Sequence, residues 1–213
     1  MNALGIIEVY SFTTAVCAAD IAAKTADIKV IAFDRTRPKS EAVPAPLVMA
    51  VKIEGDNSSV EAAIKAAKEY AERKGDYIIS SVMPRPGQDM EKMAYLLDIN
   101  KDKYNKKLPK TFLGSEIEAP RTDFSIGLLE VSGLVASIAG LDTMLKAADV
   151  RLIHTEKRLG GRLVTLVIRG KVSAVEAAIE AGAQTAQPLG KMHGKAVIAN
   201  PHGEVMKFFD FEV

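Results

Sequence analysis

One stretch of this chain is written twice. Ala3-Leu4-Gly5-Ile6-Ile7-Glu8-Val9 returns as Ser125-Ile126-Gly127-Leu128-Leu129-Glu130-Val131, an offset of 122 positions. Asp20, Lys24 and Ala26-Asp27-Ile28 return at the same offset as Asp142, Lys146 and Ala148-Asp149-Val150. Further on the offset is 115: Gly55 answers Gly170, Val60-Glu61-Ala62-Ala63-Ile64 answers Val175-Glu176-Ala177-Ala178-Ile179, and Pro86 answers Pro201. The first copy therefore holds a loop seven residues longer, somewhere between Ile31 and Lys52. A repeat of this length gives two domains of about 90 residues each. It also presents one surface twice, so function is expected in symmetry and assembly before chemistry.

Each copy reads β-α-β-β-α-β followed by a short helix. In the first, strand signals cover Gly5–Val9, Lys29–Phe33, Leu47–Ile53 and Tyr77–Val82. Helices are predicted over Thr13–Ala26, from about Ser58 to Lys74, and over Gln88–Leu97. Ser58-x-x-Glu61 and Ser173-x-x-Glu176 read as capping boxes. The second copy predicts strands Ser125–Val131, Val150–Glu156, Leu163–Ile168 and Lys195–Ala199, with helices Leu134–Ala148 and Ser173–Ala186. Two right-handed βαβ crossovers give a four-stranded antiparallel sheet with helices on one face. The fold class is α+β, two tandem ferredoxin-like βαββαβ domains. The expected boundaries are residues 1–97, a polar linker at 98–122 with Pro109 and Pro120 as breakers, and 123–213.

Composition narrows the function classes. With 48% hydrophobic and 26% charged residues the chain can build two modest cores. A net charge of +1 creates no global field for nucleic acid or anionic lipid, so neither is an expected partner. No run of 18 apolar residues and no secretory signal is present. The single Cys17 cannot form an internal disulfide or a Cys-built metal site, and a reducing cytoplasm is the natural setting. It sits in an Ala-rich helix and reads as a small buried residue. His154, His193 and His202 have no metal-ligand spacing and read as surface or capping histidines. Gly160-Gly161 leads from a strand into another strand, which does not fit a dinucleotide fingerprint. No Ser/His/Asp set or carboxylate pair has a recognisable spacing, so neither an enzyme nor a cofactor is expected.

The ordered set of motifs resembles the bacterial microcompartment shell proteins, in the tandem-domain form that makes trimers mimicking hexamers. The matching pieces in copy two are Ile126–Val131, Ala139–Val150, Lys157–Arg162, Val167–Val172 and Ile198–His202. Copy one supplies Gly5–Glu8, Ala18–Lys24 and Met83–Pro86. Both copies begin at the Gly-Ile/Leu-Ile/Leu-Glu strand, so neither resembles the circularly permuted relatives.

The resemblance implies that the loop after the second strand lines a central pore. In copy one the pore-lining residues would be Arg35, Arg37, Pro38, Lys39, Ser40 and Glu41, in a long proline-rich loop without glycine. In copy two they would be Lys157, Arg158, Leu159, Gly160, Gly161 and Arg162. Neither loop holds the cysteines on which some tandem relatives carry an iron–sulfur cluster. The resemblance also implies edge contacts at Lys24, Arg85, Lys146, Asn200 and His202. Copy one has Arg85 before its proline and Gly87 after it; copy two has Asn200 and His202. The two edges are therefore not equivalent.

The implied function is a non-enzymatic shell protein of a cytoplasmic microcompartment. Its partners would be further copies of itself in a homotrimer, other shell proteins edge to edge, enclosed enzymes, and small metabolites at the pore. Those same residues also fit a regulatory protein with tandem ferredoxin-like domains that binds a small molecule. Alone, Lys24 and Lys146 are ordinary i,i+4 partners of Asp20 and Asp142.

Overall fold

The computed structural model describes residues 3–36, 47–87, 123–156 and 162–209. In the first copy the elements run β1 (Ala3–Val9), α1 (Phe12–Thr25), β2 (Ile28–Thr36), β3 (Val48–Gly55), α2 (Asn57–Lys74) and β4 (Tyr77–Met83). In the second they run β5 (Ser125–Ser132), α3 (Leu134–Ala147), β6 (Val150–Glu156), β7 (Leu163–Gly170), α4 (Val172–Ala186) and β8 (Met192–Ala199), and α5 (Gly203–Met206) follows. The two sheets have the orders β2-β3-β1-β4 and β6-β7-β5-β8, antiparallel throughout. This is the tandem ferredoxin-like α+β fold that the repeat predicts. The predicted helix Gln88–Leu97 and the segment 98–122 lie outside the described residues.

The repetition extends to irregularities. The β2–β3 ladder shifts register between Val30 and Ala32, and β6–β7 shifts between Leu152 and His154. The ladders to the fourth strands shift at Glu8/Val9 and at Glu130/Val131. Asp34 pairs with Ala50 as Glu156 pairs with Thr165, and β2 then runs on to Thr36 opposite Val48. The extra length of copy one thus falls at the tip of its β2–β3 hairpin.

The cores repeat as well. In the second copy Leu129, Met144, Val150, Val164, Leu166, Ile168, Val175, Ala178 and Ile179 pack together and are buried. Their counterparts Ile7, Ala22, Ile28, Met49, Val51, Ile53, Val60, Ala63 and Ile64 are buried too. Glycine in the first strand lets the second helix lie close. A Cβ on Gly5 would stand 2.7 Å from Ile64 Cγ1 and 2.8 Å from Val60 Cγ1. On Gly127 it would stand 2.6 Å from Ile179 Cγ1 and 2.7 Å from Val175 Cγ1. Both distances are below van der Waals contact, so any side chain would push helix and sheet apart.

The capping boxes are not what starts these helices. Asp56 is the N-cap of α2: its carboxylate accepts the Ser59 N–H at 2.9 Å and the hydroxyls of Ser58 and Ser59 at 2.6 Å each. Those bonds hold its carboxyl well below the usual range. A charged acceptor at the positive end of a helix outcompetes a hydroxyl for the orphan amides. Ser58 is drawn into the first turn as a donor instead. In α4 the cap is Lys171, with no side-chain bond, and Ser173 lies inside the helix.

The described residues gather into two units. The first takes in the residues up to position 87 together with His202–Phe208, and the second takes in positions 123–201 with Phe209. Helix α5 therefore completes the unit built from copy one, although it follows copy two in the chain.

Candidate functional site: helix edges and hairpin tips

In the first unit the edge is built around Asp20. Helix α1 is capped by Ser11, whose side chain accepts the Thr14 N–H, and Thr14 Oγ1 donates to Asp76 beyond α2. These contacts fix the helix, and Asp20 lies buried two turns on. One Asp20 oxygen holds the Lys24 ammonium at 2.7 Å, and the other accepts the His202 N–H at 2.7 Å. Two of the predicted edge residues, Lys24 and His202, therefore meet at one carboxylate.

The segment beginning at His202 is seated by further bonds. His202 caps α5, its Nδ1 accepting the Glu204 N–H at 3.2 Å. Glu204 Oε2 accepts the Val30 N–H of β2 at 2.7 Å and pairs with Lys207. Burial alone would push the Lys207 ammonium down, and Glu204 opposes that. Val205 and Met206 are buried. Phe208 meets the Phe33 ring edge-on at 4.9 Å between centroids, a favourable aromatic geometry.

The second unit has the same parts without that seat. Lys146 pairs with Asp142 at 2.7 Å, but both side chains are exposed. Phe12, Thr13 and Val16 of α1 are 3%, 3% and 1% exposed. Their counterparts Leu134, Val135 and Ile138 of α3 are 66%, 72% and 59% exposed. Arg85 is exposed after β4, and Asn200 is exposed after β8 with φ +45.

Of the predicted pore residues, Arg35 and Arg162 are described. Arg35 pairs with Met49 near the end of β2. Arg162 precedes β7 with φ +63, and its carbonyl accepts the Gly133 N–H at 2.8 Å. Each stands at the tip of the hairpin between the second and third strands of its own unit. Arg37, Pro38, Lys39, Ser40, Glu41, Lys157, Arg158, Leu159, Gly160 and Gly161 lie outside the described residues.

The remaining candidates have structural partners. Cys17 is buried, and burial pushes its thiol up to about 11, which keeps it protonated and unreactive. Ser132 Oγ lies 2.8 Å from His193 Nε2, and burial lowers the His193 pKa despite the nearby Glu130. His154 packs on Phe209 at 5.4 Å between ring centroids. Among the described residues no cluster of His, Cys, Asp and Glu could hold a metal ion, and no helix is long and apolar enough to cross a membrane.

Sequence reasoning missed the place of α5. Repeat logic assigns residues after β8 to copy two. The available signal was the apolar set Val205, Met206, Phe208 and Phe209 directly after His202, a face that needs a surface to cover it.

Comparison with known proteins matches a family model described as BMC domain at residues 3–86 and again at 125–201. The carboxysome assembly protein CcmO of Synechococcus elongatus is 31% identical over 205 residues, covering 96% of this chain and 67% of the relative. The bacterial microcompartment shell protein EutM of Salmonella typhimurium is 44% identical over 85 residues, 40% of this chain and 88% of the relative. PduA of Citrobacter freundii, also a bacterial microcompartment shell protein, is 43% identical over 83 residues, 39% of this chain and 88% of the relative.

Proposed function

The chain belongs to the BMC-domain family in a tandem two-domain form, and from that premise we propose that it is a structural, non-enzymatic component of a bacterial microcompartment shell. One observation carries the reading: the domain is matched twice over most of the chain, and its relatives bear the names of shell and assembly proteins. Three chains would supply six similar domains and close a pseudohexameric disc. Discs would tile edge to edge with other shell proteins through Lys24, Arg85, Lys146, Asn200 and His202. The sheath so formed would enclose enzymes in the cytoplasm.

The hairpin tips would surround the axis of the disc. Copy one brings Arg35, Arg37, Pro38, Lys39, Ser40 and Glu41; copy two brings Lys157, Arg158, Leu159, Gly160, Gly161 and Arg162. The two tips differ in length and in proline and glycine content, so the opening would have three-fold character. Both are net basic, and low-dielectric walls would focus their field on anionic or polar metabolites.

Light scattering of the purified protein should give three chains per particle, and electron microscopy should show discs or sheets. A monomer at micromolar concentration would overturn the reading.

A further inference from the structure

The two units supply the same cation position from opposite strands. In the first, Lys52 of β3 stands across from Ala32 of β2, and its ammonium pairs with Asp34, two residues further along β2. In the second, the cross-strand pair at the equivalent place is His154 of β6 with Val167 of β7. There His154 Nε2 lies 3.7 Å from Glu156 Oε2, and Glu156 is the counterpart of Asp34. Lysine opposite alanine has become histidine opposite valine, and the acid has kept its place. Both acids are buried, Asp34 at 6% and Glu156 at 5% exposed, where a carboxylate is costly without a cation beside it. Both stand near the end of the strand that leads into the hairpin tip.

The chemistry of the cation differs. A lysine ammonium holds its charge throughout the neutral range, whereas an imidazole gains its charge between about pH 5 and 8. At 3.7 Å the His154–Glu156 contact is too long for a hydrogen bond, so its attraction is that of opposite charges and goes with the proton. The Phe209 ring packs on the imidazole. By register, the other charged groups on this face of the sheet are Arg151 on β6, Arg169 on β7 and Glu130 on β5. Arg169 lies over the Phe124 ring, and Glu130 has His193 of β8 as a neighbour. Helices α3 and α4 pack on the opposite face, with Leu166 and Ile168.

We propose that the end of β6 is a proton-sensitive clasp: protonated His154 holds the buried Glu156 as Lys52 holds Asp34, and loss of that proton loosens the base of the second hairpin while the first stays fixed. The clasp tightens on acidification. His193 sits on the opposite edge strand of the same sheet, and acidification acts on it in the opposite sense, against burial. The proposal concerns the hairpin itself and holds whether or not its tip lines a pore; in a disc as proposed above, protons would act on every second tip.

Amide hydrogen exchange of the full chain tests it, each rate being referred to the intrinsic rate at the same pH. Measurements at about pH 5 and about pH 8 span the charging of an imidazole. Protection at Thr155, Glu156 and Leu163–Thr165 should be about two- to fivefold higher at the acid end, the worth of a weak ion pair. Protection at Asp34–Thr36 and Val48–Ala50 should be the same at both. His154→Gln keeps a polar side chain that takes no charge, and should show the low protection at both pH values. His154→Ala with Val167→Lys rebuilds the arrangement of the first unit, and should show the high protection at both. A pH difference that persists in His154→Gln belongs to another group and overturns the proposal, as does a second hairpin that is as insensitive to pH as the first in the unaltered protein. Those two profiles decide the question even if the double variant does not fold. Particle mass enters neither result, so the shell reading stands or falls separately.

Discussion

Asp20 and His202 are 182 positions apart, yet the carboxylate of the first accepts the backbone N–H of the second at 2.7 Å. The contact ties the edge of one repeat to residues that follow the other. Because Asp20 is buried and also holds Lys24, it cannot be exchanged for a smaller side chain without leaving an amide unmet.

Asp20→Ala should therefore cost ~1–3 kcal/mol, the usual penalty for a donor stripped of its acceptor. Urea denaturation followed by circular dichroism measures it. An unchanged midpoint would mean that α5 is held without this bond.

The close approach of α4 to β5 makes a second test. Gly127→Ala places a methyl against Ile179 and Val175 and should destabilise by ~1–3 kcal/mol through overpacking. Thermal unfolding of the variant should show the drop. Gly5→Ala should do the same in the other unit, against Ile64 and Val60.

His193 predicts a pH dependence. Burial sets its folded pKa below the ordinary 6.5, so the unfolded chain binds its proton more readily. Its contribution is fully present above about 6.5 and fades as pH falls from there through the folded pKa. The melting temperature should drop between pH 7 and pH 5 for this reason. In His193→Gln, which keeps a polar partner for Ser132, that drop should shrink. An identical pH profile would remove His193 from the account.

If Lys24 and Lys146 hold the edges of neighbouring discs as proposed, Lys24→Ala combined with Lys146→Ala should abolish extended sheets while leaving particle mass unchanged. Each lysine stem can lie along an apolar surface and carry its ammonium to a neighbouring carbonyl. Electron microscopy reads the sheets and light scattering reads the particle. Sheets that persist would refute the assignment.

Charge at the hairpin tips is tested by Arg158→Glu with Arg162→Glu. If these tips form the proposed basic ring, reversing its charge should turn an anion preference into a cation preference. Flux of a small anion and a small cation through reconstituted shells, compared with wild type, gives the answer. Equal preference in both proteins would end the electrostatic reading.

Much of this fold was legible because the sequence states it twice. The spacing of Gly5 and Gly127 fixed the first strand of each copy, and the change of offset located the longer hairpin. The strand β8 begins at Met192, earlier than the expected Lys195, because Met192 and Gly194 pair with β5 on either side of a register shift at His193 that periodicity does not show. The capping boxes failed because Asp56, one position before the helix, is a stronger acceptor than Ser58. The Lys24–Asp20 and Lys146–Asp142 pairs were predicted from spacing alone and both form. The difference between them was not readable. It depends on a seat filled from far along the chain, and no local pattern encodes which of the two equivalent helices is covered.

The order of synthesis gives that seat a kinetic meaning. Copy one leaves the ribosome first, but its unit lacks α5 until nearly all of copy two has followed. Until then Val205 and Met206 do not yet exist to cover it, and the contacts to Asp20 and Val30 must close a loop of more than 170 residues. The nascent first unit therefore waits with an adhesive face exposed, on a polysome where neighbouring chains expose the same face. A stop codon just before His202 would leave every strand of both sheets encoded, and the damage would appear in the half of the protein made first.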